Sequence, residues 1–159
     1  MEAMTEHERW MTIAIEEARF GSASGEQPFG SVIVRNGAMV CRTRSLKVST
    51  SDTTAHSELL AVRTATQGLK HRVLDGCVFY ATCEPCPMCL GAILNAGIDR
   101  LVIGARKSQV QQFSTTAFHF NAYTVERFAE MVGWPLVVEQ ALQDQCIALY
   151  AGATVTLTR

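Results

Sequence analysis

The chain has 159 residues, 48% hydrophobic and 18% charged, with a formal net charge of −1. That length and apolar content predict one compact domain over 1–159 and argue against a disordered chain. The charge argues against a general polyanion binder, and no stretch reaches the ~20 apolar residues of a membrane helix.

The opening MEAMTEHERW is polar and acidic where a secretory signal would be basic and then apolar, so a cytoplasmic protein is expected. Residues 5–20 place Trp10, Ile13, Ala14 and Ala18 at helical spacing. The Gly- and Ser-rich stretch 21–27 reads as a loop, and 29–44 as two strands around the hairpin turn Asn36-Gly37. Asp52–Thr54 offers N-caps for a helix to Gln67, ended by Gly68. Residues 77–82 read as a buried strand. Pro85 and Pro87 suit the opening of a helix to Asn95, with Gly97 beyond its end. Residues 100–105 read as a strand and 106–122 as a loop. A helix near 124–132, a strand at 136–139 and a helix near 141–150 follow; the tail fits a strand or a frayed end. Strands alternating with helices predict an α/β layered fold, which alone fits many functions.

Six cysteines, at 41, 77, 83, 86, 89 and 146, are expected as thiols in a reducing compartment. Three of them crowd between 83 and 89, the spacing of a metal or reactive site. The clusters Arg42-Arg44-Lys47 and Lys70-His71-Arg72 read as solvated surface, and His7, His71 and His119 as surface or loop residues.

The chemistry lies in TTAHSELLA (53–61) and TCEPCPMCLGA (82–92). His56-Ser57-Glu58 followed by Pro85-Cys86-Pro87-Met88-Cys89 fits the His-x-Glu, Pro-Cys-x-x-Cys signature of zinc deaminases. Cys86 and Cys89, three apart on a first helical turn, can aim their thiols together, and a helix N-terminus and zinc both favour thiolate. His56, Cys86 and Cys89 leave a fourth position open, as in catalytic rather than structural zinc sites, and water there turns acidic near neutral pH. Glu58 is placed to move protons to the ring nitrogen and the leaving amine. Three blander readings compete: a redox Cys-x-x-Cys, a closed structural zinc using Cys83 as fourth ligand, and a non-catalytic zinc-stabilised module. A buried, inert Cys83 at a strand end is the preferred role for that thiol.

On these residues, with PFGSVIV, Asn36-Gly37 and RLVIGAR (100–106), the chain resembles the cytidine deaminase-like superfamily, in its guanine deaminase and bacterial tRNA adenosine deaminase branch. The resemblance implies a three-layer α/β/α fold with a central five-stranded mixed sheet, both zinc-bearing helices on one face, and a homodimer or higher oligomer. It implies Glu58 as proton shuttle, the backbone at Ser57 as donor to a ring oxygen, and Phe29 and the 109–120 loop around the pocket. The chain departs from the family pattern in three places. The Asn that usually precedes the histidine motif is absent between Gly37 and His56, with Arg44 and Ser45 near its place; Thr53 replaces a Pro, and Ser57 an Ala. The expected function is hydrolytic deamination of a free aminated heterocycle, guanine-like or a pterin or triazine. The second reading is tRNA adenosine deamination, against which stand the near-neutral charge and Arg159 as the only Lys or Arg after Arg127. If Arg44 faces the pocket, the substrate should be rich in acceptors; if it faces out, Ser45 leaves a roomier pocket.

Overall fold

The computed structural model describes residues 2–113 and 121–151. Helix α1 (Glu6–Ala23) leads into the hairpin β1 (Gly30–Arg35) and β2 (Ala38–Arg44), then α2 (Ser57–Leu69) and β3 (Cys77–Cys83). Helix α3 (Pro87–Asn95), β4 (Arg100–Ala105) and the short α4 (Lys107–Gln111) follow, before α5 (Val125–Met131), β5 (Val137–Gln140) and α6 (Gln143–Ala151). The strands form one five-stranded mixed sheet in the order β2-β1-β3-β4-β5. Strand β1 runs antiparallel to both neighbours, while β3, β4 and β5 are mutually parallel.

Strand alternation sends side chains to two cores. Ile33, Phe79, Ala81, Leu101 and Ile103 meet Ala61 and Val62 of α2, Leu90 and Ile93 of α3, and Val125 of α5. From the opposite face Val32, Val34, Tyr80 and Val102 meet Trp10 and Met11 of α1 and Cys146 and Tyr150 of α6. The fold is therefore the expected α/β/α sandwich, with α2 and α3 on one face.

Local chemistry moves several boundaries. Thr5 and Glu8 form a reciprocal capping box that starts α1, and the helix passes through Gly21 to Ala23, inside the expected loop. Gly21 lies under the Arg44 side chain, a tertiary reason for glycine there. Asp52 does not cap α2: its carboxylate accepts from the Thr54 N–H at 2.8 Å in an Asx turn, and the helix begins at Ser57. Gly68 stays helical, and Lys70 (φ 52°) takes the left-handed cap. The expected loop after 105 holds α4, five residues too short to show a helical period. His7 is not a bare surface residue; its Nδ1 lies 2.9 Å from the Tyr80 hydroxyl and its Nε2 3.1 Å from Glu139. His119, much of the 109–120 loop and the tail fall outside the described residues. Among the described residues, no helix is long and apolar enough to cross a membrane.

Gly30 lets α1 lie directly on β1, because a Cβ there would run into the Ala14 carbonyl and the Ala18 backbone nitrogen. Backbone cannot swing aside as a side chain can. Gly30→Ala is expected to cost about 1–3 kcal/mol or more, read as a fall in the denaturant midpoint at unchanged slope. An unchanged midpoint would contradict this close approach.

Candidate active site

Two helix N-termini build the site. His56 is the extended N-cap residue of α2, and Cys86 is that of α3, with Pro87 and the buried Cys89 in the first turn. Neither His56 nor Cys86 makes a side-chain capping bond, so both side chains are available to each other. The positive ends of two helix dipoles thus face the same thiols. One ligand atom each from His56, Cys86 and Cys89 lies within 4.8 Å of the others, and Cys86 Sγ is 3.7 Å from His56 Nδ1. Tetrahedral zinc bonds would separate a sulfur and a nitrogen ligand by about 3.6 Å, so the donor set fits the metal. Cys83 is not in this group. It is buried in the opposite core, where loss of solvation pushes its thiol up to about 12. All six cysteines are free thiols.

The thiol of Cys89 donates to Cys86, which is the main reason the Cys86 thiol is held down at about 3; burial opposes this and His56 adds to it. The same shared proton pushes Cys89 strongly upward. The pair therefore favours one thiolate, stabilised by the proton its neighbour keeps.

Glu58 lies one turn position beyond Ser57, with only 5% of its surface exposed. Burial raises its carboxyl above the usual range, against the opposing pull of His56. The Ser57 hydroxyl lies 3.2 Å from Glu58 Oε2 and 2.9 Å from the Ser31 hydroxyl. The Ser57 carbonyl accepts from Thr43 Oγ1 at 2.7 Å. Strands β1 and β2 thereby lock the first turn of α2 and the carboxyl it carries.

Residues 4–105 match the family model described as the cytidine and deoxycytidylate deaminase zinc-binding region. The chain belongs to that family. It is a zinc-dependent enzyme of hydrolytic C–N cleavage. It is 38% identical over 143 residues to the tRNA-specific adenosine deaminase of Bacillus subtilis, covering 90% of this chain and 85% of that one. It is 44% identical over 85 residues to the guanine deaminase of the same organism, covering 54% of this chain and 53% of that one. A solved structure from work on A-to-I editing by tRNA:A34 deaminases superposes with a TM-score of 0.75 at 29% identity, over 89% of this chain and 98% of that one.

In this deaminase, strand parity decides between Arg44 and Ser45. Arg42 and Arg44 share the α1 face of β2, where both guanidinium groups meet the Glu17 carboxylate. Arg44 also lies over the Phe20 ring at 4.4 Å. Thr43 points the other way, towards α2, and Ser45 follows it in parity. Ser45 is 1% exposed, and its Oγ is the buried side-chain polar atom left without a partner among the described residues. Arg44 is accordingly not brought to the site, whereas Ser45 is tied to it on both sides. Its N–H donates to the Phe29 carbonyl at 3.1 Å, and the Leu46 N–H donates to Ala55, next to His56, at 3.0 Å.

Phe29 is half-buried, its ring 5.1 Å from Tyr150 and 5.9 Å from Lys107 Nζ. Lys107, Tyr123 and Glu84 were not singled out by sequence reasoning, and Lys47, expected on a solvated surface, is half-buried with its Nζ 3.4 Å from Gln27 Oε1. Glu84, inside the Cys-Glu-Pro-Cys string, is a buried organiser. Its carboxylate accepts from the N–H groups of Lys107 (2.9 Å) and Val125 (3.0 Å) and from Arg106 (3.2 Å). It ties α4 and α5 to the turn before Cys86. Tyr123 donates to the Pro85 carbonyl at 2.6 Å in the same turn. A cavity of about 490 Å³ lies beside this organiser, lined by Glu84, Arg106, Tyr123 and Glu126 among others, but by none of His56, Cys86 and Cys89.

Proposed function

We propose that this deaminase holds zinc on His56, Cys86 and Cys89, moves protons with Glu58, and acts on a free aminated heterocycle, guanine-like or a related pterin or triazine. The observation that carries the reading is the convergence of three ligand atoms within 4.8 Å beside a buried carboxyl that belongs to none of them. Zinc bound there supplies Lewis acidity that lowers the pKa of water towards ~7. Glu58, its proton affinity raised by burial, takes one proton from the attacking water and delivers it to the ring nitrogen, then takes a second from the hydroxyl added to the ring carbon and delivers it to the amine as the C–N bond breaks. Ser57 and Ser31 hold that carboxyl while it changes charge. Phe29 offers a flat apolar wall for the ring, and the backbone N–H at Ser57, in the first turn of α2, suits a ring oxygen. A cytoplasmic homo-oligomer completes the reading.

Deamination of tRNA adenosine is the second reading, favoured by the breadth of the 38% identity over 143 residues. A bound RNA strand needs cations around the pocket mouth. Arg42 and Arg44 are engaged by Glu16 and Glu17, and Arg106 by Glu84 and Glu126, which supports the free base. A non-catalytic zinc module gives the buried Glu58 no work. An ammonia-release panel of bases, nucleosides, pterins and triazines, with an unmodified anticodon hairpin added, separates the readings. A free base is expected to be the best substrate. Turnover of the hairpin alone would move the chain to the second reading.

A further inference from the structure

The two residues immediately before the Cys86 ligand are both held from outside their own turn. Glu84 is 2% exposed, a depth at which a carboxylate needs every partner it can find. Its Oε1 accepts from the Lys107 N–H at 2.9 Å, and its Oε2 from the Val125 N–H at 3.0 Å and Arg106 Nη1 at 3.2 Å. Arg106 is gripped from its far side, where the Glu126 carboxylate accepts from both terminal nitrogens at 2.9 and 2.7 Å. The Glu84 N–H donates to the Ala105 carbonyl, at the end of β4, at 2.8 Å. One residue on, the Pro85 carbonyl accepts from the Tyr123 hydroxyl at 2.6 Å.

Local sequence explains only part of this turn. Pro87 keeps Cys86 in extended backbone (φ −69°, ψ 167°), and Pro85 fixes its own φ. Prolines stiffen the turn but do not set where it stands relative to His56, which belongs to another helix. The bonds to Glu84 and Pro85 tie it instead to β4, α4 and α5. The His56 side is held in the same way: the Leu46 N–H donates to the Ala55 carbonyl at 3.0 Å and the Thr43 hydroxyl to the Ser57 carbonyl at 2.7 Å. Both ligand turns are therefore fixed through the residues that flank the ligands. A metal centre needs that, because its ligands must be held to a few tenths of an ångström.

We propose that Glu84 is a positioning residue for the metal centre: it holds Cys86 at the distance from His56 that tetrahedral zinc requires, with Tyr123 as a second clamp on the same turn. Glu84 does this through the backbone and touches neither metal nor substrate. The inference rests on the ligand assignment made under the proposed function, and the test reads the metal alone, so no substrate has to be known.

Glu84→Gln puts one oxygen and an N–H₂ donor where the carboxylate serves three donors. In competition with a chelator, this variant is expected to hold zinc about tenfold or more weakly than the unsubstituted protein. With cobalt(II) in place of zinc, its d–d and thiolate charge-transfer bands are expected to shift, reporting displaced ligands. Tyr123→Phe should move both readouts the same way by less, and the double variant by less than the two effects added, since both act on one turn. Trp134→Phe is the control for stability alone. It loses the 2.9 Å bond from Nε1 to the Ile98 carbonyl, and should lower the thermal midpoint without moving the cobalt bands. Folded Glu84→Gln with unchanged zinc affinity and cobalt bands overturns the proposal. So does a Trp134→Phe protein whose bands move as far for the same fall in thermal midpoint, since metal geometry would then follow global stability. If Glu84→Gln gives no soluble protein, Tyr123→Phe decides on the same two readouts, and no change in either overturns the proposal. Failure of the unsubstituted protein to take up cobalt would instead overturn the ligand assignment, and this proposal with it.

Discussion

Replacing Glu58 with Ala is expected to lower turnover by at least ~10²–10⁴-fold while about one zinc per chain remains bound. The two halves of that expectation come from different observations. The carboxyl is 5% exposed and its proton affinity is raised by burial, which favours its taking up a proton. The ligand atoms that cluster within 4.8 Å come from His56, Cys86 and Cys89 and do not include Glu58, so the metal should not leave with the carboxyl. Glu58→Gln should fail as badly, because the amide keeps the shape and the contact to Ser57 but carries no exchangeable acid. Ammonia release and zinc content on the same preparation decide the point. Normal turnover would remove Glu58 from the mechanism, whereas loss of zinc would place it among the ligands. The thermal midpoint is expected not to fall, since a buried carboxyl at an active site is held against its own preference for water.

Sequence reasoning reached the metal ligands because their geometry is local. Cys86 and Cys89 are set by one helical turn, and His56 and Glu58 by another, so spacing alone carries the pattern. The five strands were legible for the same reason, each marked by apolar runs between turn residues. Lys47 and Lys107 were not legible. They are 60 residues apart, Lys47 in the loop after β2 and Lys107 in a helix too short to show a period, and only the tertiary fold brings one beside Gln27 and the other beside Phe29. Glu84 was hidden inside a motif whose cysteines drew the attention, although a buried acid beside Pro is unusual enough to ask what it holds.

The choice between Arg44 and Ser45 could have been made from sequence. Period-2 alternation puts Arg42 and Arg44 on one face of β2 and Thr43 on the other, and acidic Glu16-Glu17 on the first helix is the natural partner of the arginine face. The α2 start was missed through a competition that sequence does not rank. Asp52 and Thr54 are good caps and also good turn residues, and the turn won because the chain must still cross from β2 to bring His56 to the thiols.

Cys86→Ala is expected to empty the metal site, with zinc falling from about one per chain to near zero after brief chelator dialysis and deaminase activity lost with it. Cys86 supplies one of the three ligand atoms that converge within 4.8 Å, so its removal leaves only two. Helix α3 itself should survive. Cys86 makes no side-chain capping bond, and Pro87 with the buried Leu90 and Ile93 still start and seat the helix. Metal loss and unfolding are thus separable by circular dichroism on the metal-free protein. Cys83→Ala is the matched control: it removes a fully buried thiol from the opposite core, costing about 1 kcal/mol of packing, and leaves zinc in place. Should Cys83→Ala strip zinc as thoroughly as Cys86→Ala, the site would be a closed four-ligand one. Glu58 would then face no open position, and the hydrolytic role built on it would have no room to operate.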